Sequence, residues 1–344
     1  MSRRAIENLI ALTIPEIQEL FLQQMQDVVD RAMLDEMVAA IEAGDAERLF
    51  QATGFSVAVL NPIVDRIERM YRESAEIEVG EFPTRIRTPT GSVLFRFDMR
   101  NPAIEREVRE HSSQLVTRIT DDTRQVIRKT LERGQIVGRN PRNTALEIIG
   151  RVDPVTKKRI GGVIGLTPHQ ERWVDSVRRY LTQGDEQYFS LGLRDKRFDK
   201  TVERYIKEGK PIPRDTVEKA LVSYKNRALK YRANVIARTE AISASSRGRH
   251  AAIKQLVTDG TLPTSAIKKW WDATGDYRTR PSHRLLERGT KNDPIGLDEP
   301  FVSPVTGARM LHPHDQSLGA PASELVQCRC YEQFDINWIW WQDE

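Results

Sequence analysis

Through most of the first 240 positions, apolar residues recur at helical spacing. The T-x-x-E stretch Thr13 to Glu16 has the form of a capping box with proline in the first turn. Ile17, Leu20, Phe21, Val28 and Ala32 then follow on one face until Gly44 ends the run, and Asp45 is placed to cap the next helix. Between about 84 and 99 the period changes to two. Beyond a Pro-Thr-Gly turn, Val93, Phe95, Phe97 and Met99 alternate with Leu94, Arg96 and Asp98, which predicts a β-hairpin inserted among helices. Helical spacing returns from Asn101 to Arg133, and the glycines and proline of "ERGQIVGRNPRNTALEIIGRV" predict two short helices meeting at a tight turn.

Gly161, Gly162 and Gly165 loosen the chain before Thr167-Pro168-His169-Gln170, a second capping box with proline at the first helical position. This basic, glycine-rich loop lacks the G-x-x-x-x-G-K-[ST] order of a P-loop, so the pattern favours an interhelical connection over a phosphate cradle. From Asp215 the spacing of Leu221, Tyr224, Ala228, Tyr231, Val235 and Ile242 predicts the longest helix of the chain, interrupted or bent at Gly248. Its other face is basic. Arg227, Lys230, Arg247 and Arg249 are its candidate phosphate contacts, with a solvated face as the alternative, since no aromatic residues suited to base stacking accompany the charge.

Beyond the long helix the chain becomes loop-rich and β-like, dense in Pro, Gly and Asp. From Cys328 the even positions Cys328, Cys330, Glu332, Phe334, Ile336, Trp338 and Trp340 form a mostly apolar alternation, which predicts a strand with both thiols on its buried side. Trp338, Trp340 and Trp341 are expected to complete the core of this part rather than to anchor a partner. The expected fold class is therefore α+β: mostly helical over residues 1–214 with a small hairpin, then a loop-rich α+β module over 215–344.

Composition narrows the function classes. The 344 residues are 39% hydrophobic and 30% charged, the profile of a globular protein with room for two or three domains. A net charge of +4 does not mark a nucleic-acid binder, and no apolar run approaches bilayer length, so a cytoplasmic protein is expected. Two cysteines at i and i+2 would close a small strained ring, which argues for reduced thiols. They are then either buried small hydrophobes or two metal ligands completed by His283, His312 or His314, with Asp315 as a further candidate ligand; zinc suits such donors. Asp276, Arg278, Arg280 and His283 admit two readings. Forked arginine–carboxylate pairing would brace an irregular loop, and an acid–base pair would act on an anionic substrate; pairing is the expected one.

Taken in order, Arg238-Thr239-Glu240, Trp271, the D-x-R-x-R-x-x-H of Asp276, Arg278, Arg280 and His283, the D-E-P-F ending at Phe301, the H-P-x-D of His312, Pro313 and Asp315, and the C-R-C of Cys328 to Cys330 resemble the head-morphogenesis proteins of tailed bacteriophages, typified by the F protein of phage Mu. The resemblance covers roughly Arg232 to Phe334. Two features depart from the pattern: the glycine usually found soon after the histidine waits until Gly289, and His314 stands where a small residue is typical. The resemblance implies a non-enzymatic minor capsid protein, assembled into the procapsid in the host cytoplasm and carried in the virion at the portal vertex. Portal, scaffold and major capsid proteins are the implied partners, with non-specific contact to packaged DNA and no membrane. Under it the Asp/Arg/His and thiol cluster is structural. The competing class is a metal-dependent nuclease or other hydrolase of nucleic acid built on His283, Asp276, Asp315 and a cysteine-bound ion, although H-E-x-x-H, G-x-S-x-G and paired C-x-x-C patterns are absent from the sequence.

Overall fold

Helix α1 (Ser2–Arg31) begins well before the expected cap and continues through Pro15 in the computed structural model, which describes residues 2–340. Thr13 is thus a helix-interior residue with no exposure. Its hydroxyl accepts from Arg66 Nη2 at 2.5 Å and donates to Met70 Sδ at 3.3 Å, so tertiary partners use the oxygen that a cap would have used. The run expected to reach Gly44 unbroken is interrupted after Arg31. There the Met33 N–H turns to the Ala52 carbonyl (3.0 Å), and α2 (Leu34–Ala43) then ends at Gly44, whose φ of +67° is the left-handed stop that glycine adopts most easily. Asp45 caps α3 (Ala46–Ala52) through the N–H groups of Glu47 and Arg48, as the sequence predicts.

After α4 (Asn61–Val79) comes the hairpin of β1 (Ile86–Thr88) and β2 (Gly91–Val93), registered Ile86 to Val93. It is shorter than the alternation suggests. Phe95 and Phe97 leave the ladder to pack against Phe82 and Tyr71, with ring centroids 5.7 and 6.4 Å apart. Next, α5 (Pro102–Ile136) and α6 (Pro141–Ile149) show that the first of the two expected short helices is the end of one long helix. The short pair β3 (Arg151–Val152) and β4 (Arg159–Ile160) follows, closed by glycines for a steric reason: a Cβ on Gly150 would sit 2.5 Å from the Ile160 carbonyl oxygen.

Both halves of the capping box form at α7 (Pro168–Gln183). Gln170 N–H donates to Thr167 Oγ1, and Thr167 N–H donates to Gln170 Oε1, each at 3.1 Å. Thr167→Ala removes one half of this exchange and is expected to lower the unfolding free energy by about 1 kcal/mol, read as a lower urea midpoint with unchanged circular dichroism.

After α8 (Asp199–Lys207), helix α9 (Arg214–Thr258) runs 45 residues without interruption at Gly248. From Glu240 to Arg249 every residue of the helix is buried, in a stretch, "AISASSRG", rich in small side chains.

The chain then enters β5 (Ile267–Asp272), α10 (Pro281–Asn292), β6 (Ile295–Gly296), β7 (Phe301–Val302), β8 (Arg309–Met310), α11 (Ala322–Leu325) and β9 (Tyr331–Ile336). Strand β5 is the centre of an antiparallel sheet ordered β6-β5-β9, with Trp271 opposite Glu332 and Lys269 opposite Phe334. The predicted C-terminal alternation is present, but pairing starts at Tyr331, so both thiols precede the strand. Phe334, Ile336, Trp338 and Trp340 pack on a core of Ile253, Leu256, Leu262, Ile267 and Leu297. Trp341 lies outside the described residues.

Helices account for 62% of the chain and the strands form small antiparallel groups, so the fold class is α+β, as expected. Its compact units do not divide at 214/215. One comprises Met1–Ile17, Ile63–Glu110 and Asn234–Glu344, and the other Gln18–Pro62 and His111–Ala233. The unit boundaries fall inside α1, α4, α5 and α9, whose continuous periodicity leaves no linker for composition to reveal. Among the described residues no helix is long and apolar enough to cross a membrane.

Candidate metal centre

Pro281 at the first helical position starts α10 in a stretch whose crowded charges suggested an irregular loop. The helix carries His283 inward, to 1% exposure, where its ring meets the edges of a packed aromatic group. Trp271 of β5 lies 4.9 Å away in a T-shaped contact, and Phe301 meets Trp271 in the same way at 5.2 Å. Cys328 and Cys330, each 2% exposed, share that core. His283 Nδ1 lies 3.4 Å from Cys328 Sγ and 3.4 Å from Cys330 Sγ, and the three donor atoms all fall within 4.8 Å of one another. The sequence names these three residues; the structure brings them together.

The fourth candidate, His314, is not a member of the cluster. Its Nε2 is 3.0 Å from the backbone carbonyl of Cys328, and burial pulls its pKa down to about 4, so the neutral ring donates to that carbonyl. His314 therefore clamps the backbone that presents a thiol and does not face the donor set. It does so from the left-handed region at φ +69°, and Gln327, just before the first thiol, sits at φ +57°. A non-glycine residue in that region costs about 1 kcal/mol or more, which places local strain on both sides of the cluster. Asp315 is also a loop-former: its two oxygens accept from the N–H groups of Leu311 (2.7 Å) and Ser317 (2.8 Å). His312 lies in a second buried group with His250 and Glu332, its ring 5.1 Å from that of His250, while His250 Nδ1 is 2.9 Å from Glu332 Oε1.

Sequence reasoning missed Glu324. This carboxylate, 2% exposed, accepts from Ser282 Oγ (2.9 Å), Ser303 Oγ (3.0 Å) and Thr306 Oγ1 (2.6 Å). His283 Nε2 stands 2.9 Å from its Oε2, an ion-pair separation at an angle outside hydrogen-bond geometry. Burial alone would raise the Glu324 pKa, but the three hydroxyls and His283 outweigh it and hold the group below its ordinary value. Nothing local in "PASELV" marks this residue, because its partners come from two other segments, the start of α10 and the turn between β7 and β8.

The arginine reading holds with a different partner. Arg329, between the two thiols, grips Asp276 in a fork, with Nη1 to Oδ2 at 2.6 Å and Nη2 to Oδ1 at 2.7 Å. That fork, with further donors from Arg278 N–H and Thr279, holds the Asp276 pKa down at about 2. Arg280 Nη2 donates to the Val326 carbonyl at 2.6 Å, and Thr274 Oγ1 to the Arg329 carbonyl at 2.7 Å. The thiol hairpin is thus pinned from both sides to the loop before α10. From α9, Thr239 Oγ1 accepts the Gln327 N–H at 3.3 Å; Arg238 is half-buried on the same helix, next to the buried Glu240.

Burial pushes the Cys328 thiol well up. The Cys330 thiol is pulled down, first by its contact with Cys328 and then, against burial, by His283. Two thiols, one of them pulled toward the thiolate, beside an imidazole nitrogen are a soft donor set suited to zinc.

Two of the four candidate phosphate contacts on α9 are unavailable. Arg249 Nε pairs with Glu78 at 2.6 Å, and Arg247 lies over the Tyr71 ring with Glu107 at 3.8 Å; their charges are matched inside the protein. Arg227 is half-exposed but donates to the Arg194 carbonyl, and Lys230 is exposed. Comparison of the chain with protein-family profiles, curated proteins and solved structures gives no significant match.

Proposed function

We propose that the chain is a minor capsid protein acting in head morphogenesis of a tailed bacteriophage, and that the unit carrying its C-terminal residues is stapled by zinc on His283, Cys328 and Cys330. The supporting observation is convergence. Residues separated in sequence meet around one buried core: Trp271, His283, Phe301, Cys328 and Cys330 lie inside it, and half-buried Thr239, Asp276, Arg280 and Arg329 brace its segments from the edge. Such a core makes a rigid module for docking on a portal or scaffold partner. Bound zinc would supply folding free energy there, with Glu324 behind His283 as the carboxylate that orients the ligating ring.

One feature favours the competing reading of a hydrolase: three protein donors leave a fourth tetrahedral position, the pattern of catalytic zinc. The adjoining cavity is only about 10 Å³, room for about one water, and Glu324 faces the far nitrogen of His283 while engaged by three hydroxyls. A site so enclosed suits a staple better than a nucleic-acid substrate.

Elemental analysis of protein purified without added metal is expected to find one zinc per chain, and Cys328→Ser to lose it together with thermal stability. Chelator-washed protein with no stoichiometric zinc and undiminished stability would retire the staple. Co-expressed with the portal and scaffold proteins of its own phage, the chain is expected to co-purify with the portal at low copy number; failure to associate with either would remove the capsid reading. Plasmid DNA and RNA incubated with the protein and Mg²⁺ or Zn²⁺ are expected to stay intact, whereas cleavage abolished by His283→Ala would reverse the ranking.

A further inference from the structure

In the unit formed by Gln18–Pro62 and His111–Ala233, a cavity of about 380 Å³ opens between α6, α7, α9 and the loop after β4. Its charge is unbalanced. Arg139, Arg151, Arg178, Arg214 and Lys225 line it against only Glu147 and Glu218. Glu147, on the floor, is shared three ways: Arg178 Nη2 reaches it at 2.6 Å, Arg139 Nη1 contacts it, and Lys225 Nζ stands 3.6 Å off, beyond hydrogen-bond distance. Glu218 compensates little, being half-exposed and 3.6 Å from Arg178.

Lys225 is the decisive group. It is 5% exposed, and among the described residues no acceptor hydrogen-bonds its ammonium. Burial, reinforced by Arg178 and only partly offset by Glu218, pulls its pKa down to about 7. Arg178 Nε is likewise buried without a partner. A buried lysine in a cluster of five cations that share two carboxylates costs stability unless something supplies further negative charge.

We propose that this cavity binds the phosphoryl group of a small phosphomonoester, with Lys225, Arg178 and Arg139 as its donors. A phosphate dianion matches both the surplus of positive charge and the forked geometry of guanidinium groups. The volume exceeds what a bare oxyanion fills, and Leu146, Leu221 and Val222 offer an apolar wall for an organic body. The rim is open, since Arg151 and Arg214 are exposed, so a ligand can enter without unfolding. The glycine-rich loop contributes Gly161, but its N–H donates to Asn226 Oδ1 at 3.1 Å, so side chains rather than a backbone cradle would hold the anion.

Titration calorimetry in phosphate-free buffer at fixed ionic strength tests this with inorganic phosphate, deoxyadenosine 5′-monophosphate, deoxyadenosine and a 20-base-pair DNA duplex. Saturable binding of the monophosphate is expected, with weaker binding of inorganic phosphate and none of the nucleoside. Lys225→Met and the exposed rim change Arg151→Gln should each weaken the monophosphate by about tenfold or more with circular dichroism unchanged. Should Lys225→Met fail to fold, Arg151→Gln decides alone. Binding that survives these changes, a response that chloride reproduces at equal ionic strength, or Lys225-dependent binding of the duplex without the monophosphate would overturn the proposal.

Discussion

Replacing Gly248 by alanine will lower the unfolding free energy of its unit by about 3 kcal/mol or more, although the same change in an exposed helix interior normally stabilises. The sign is set by one approach. A Cβ at 248 would lie 2.1 Å from the carbonyl oxygen of Tyr71 and 2.9 Å from its carbonyl carbon, which no rotamer can relieve because the obstacle is backbone. Nor can Tyr71 withdraw freely. The residue has no exposure, its ring lies under Arg247 at 5.5 Å, and its hydroxyl donates to Glu107 at 3.1 Å. Gly289 of α10 supplies the control, since nothing stands within 4 Å of its would-be Cβ and its φ is not positive. Gly289→Ala should raise stability by about 0.5–1 kcal/mol, from the conformational freedom that glycine loses on folding. Urea melts of the two variants should therefore move in opposite directions. Equal midpoints would mean that α4 and α9 do not meet as described.

Gly248 also shows how far sequence could lead. A glycine inside a helical pattern reads as a weak point, and the bend expected there is absent because the residue exists for its neighbour's backbone, which periodicity does not record. The stops at Gly44 and Asp45 and the box at Thr167 were legible because their partners lie within four residues. Thr13 carries the same local signal yet is buried against Arg66 and Met70, partners more than fifty residues away. The β-like character after the long helix is legible, but the bounds of β5 are not, because Lys269 occupies an inward position. With no exposure, it sends Nζ to the Leu311 carbonyl at 2.5 Å across the face of Phe301, so a lysine stands where alternation calls for an apolar residue. For the metal centre, donor chemistry named His283 and both thiols, but the same chemistry applied equally to His314. Only the fold shows that His314 faces a carbonyl, and that the carboxylate behind His283 is Glu324.

The second large effect runs against the usual direction for a buried site. Lys225→Met should stabilise its unit on the order of 1–4 kcal/mol at pH 7 in phosphate-free buffer, because a side chain of similar volume replaces a desolvated cation with no hydrogen-bond acceptor among the described residues. The gain should depend on pH with a definite sign. The folded-state pKa, about 7, lies below the unfolded value of about 10.4, so between the two the unfolded chain holds more protons. The parent's stability therefore rises as pH increases from 7 toward 10, while below 7 both states are protonated and the full cost of burial applies. The advantage of Lys225→Met should accordingly be greatest near neutrality and below, and narrow steadily as pH rises. Adding the monophosphate should narrow it from the other side, by stabilising the parent alone. If Lys225→Met instead destabilises the protein at pH 7, Glu147 suffices as the counter-charge of the amine, and the cation belongs to the architecture of the fold rather than to a site kept for a ligand.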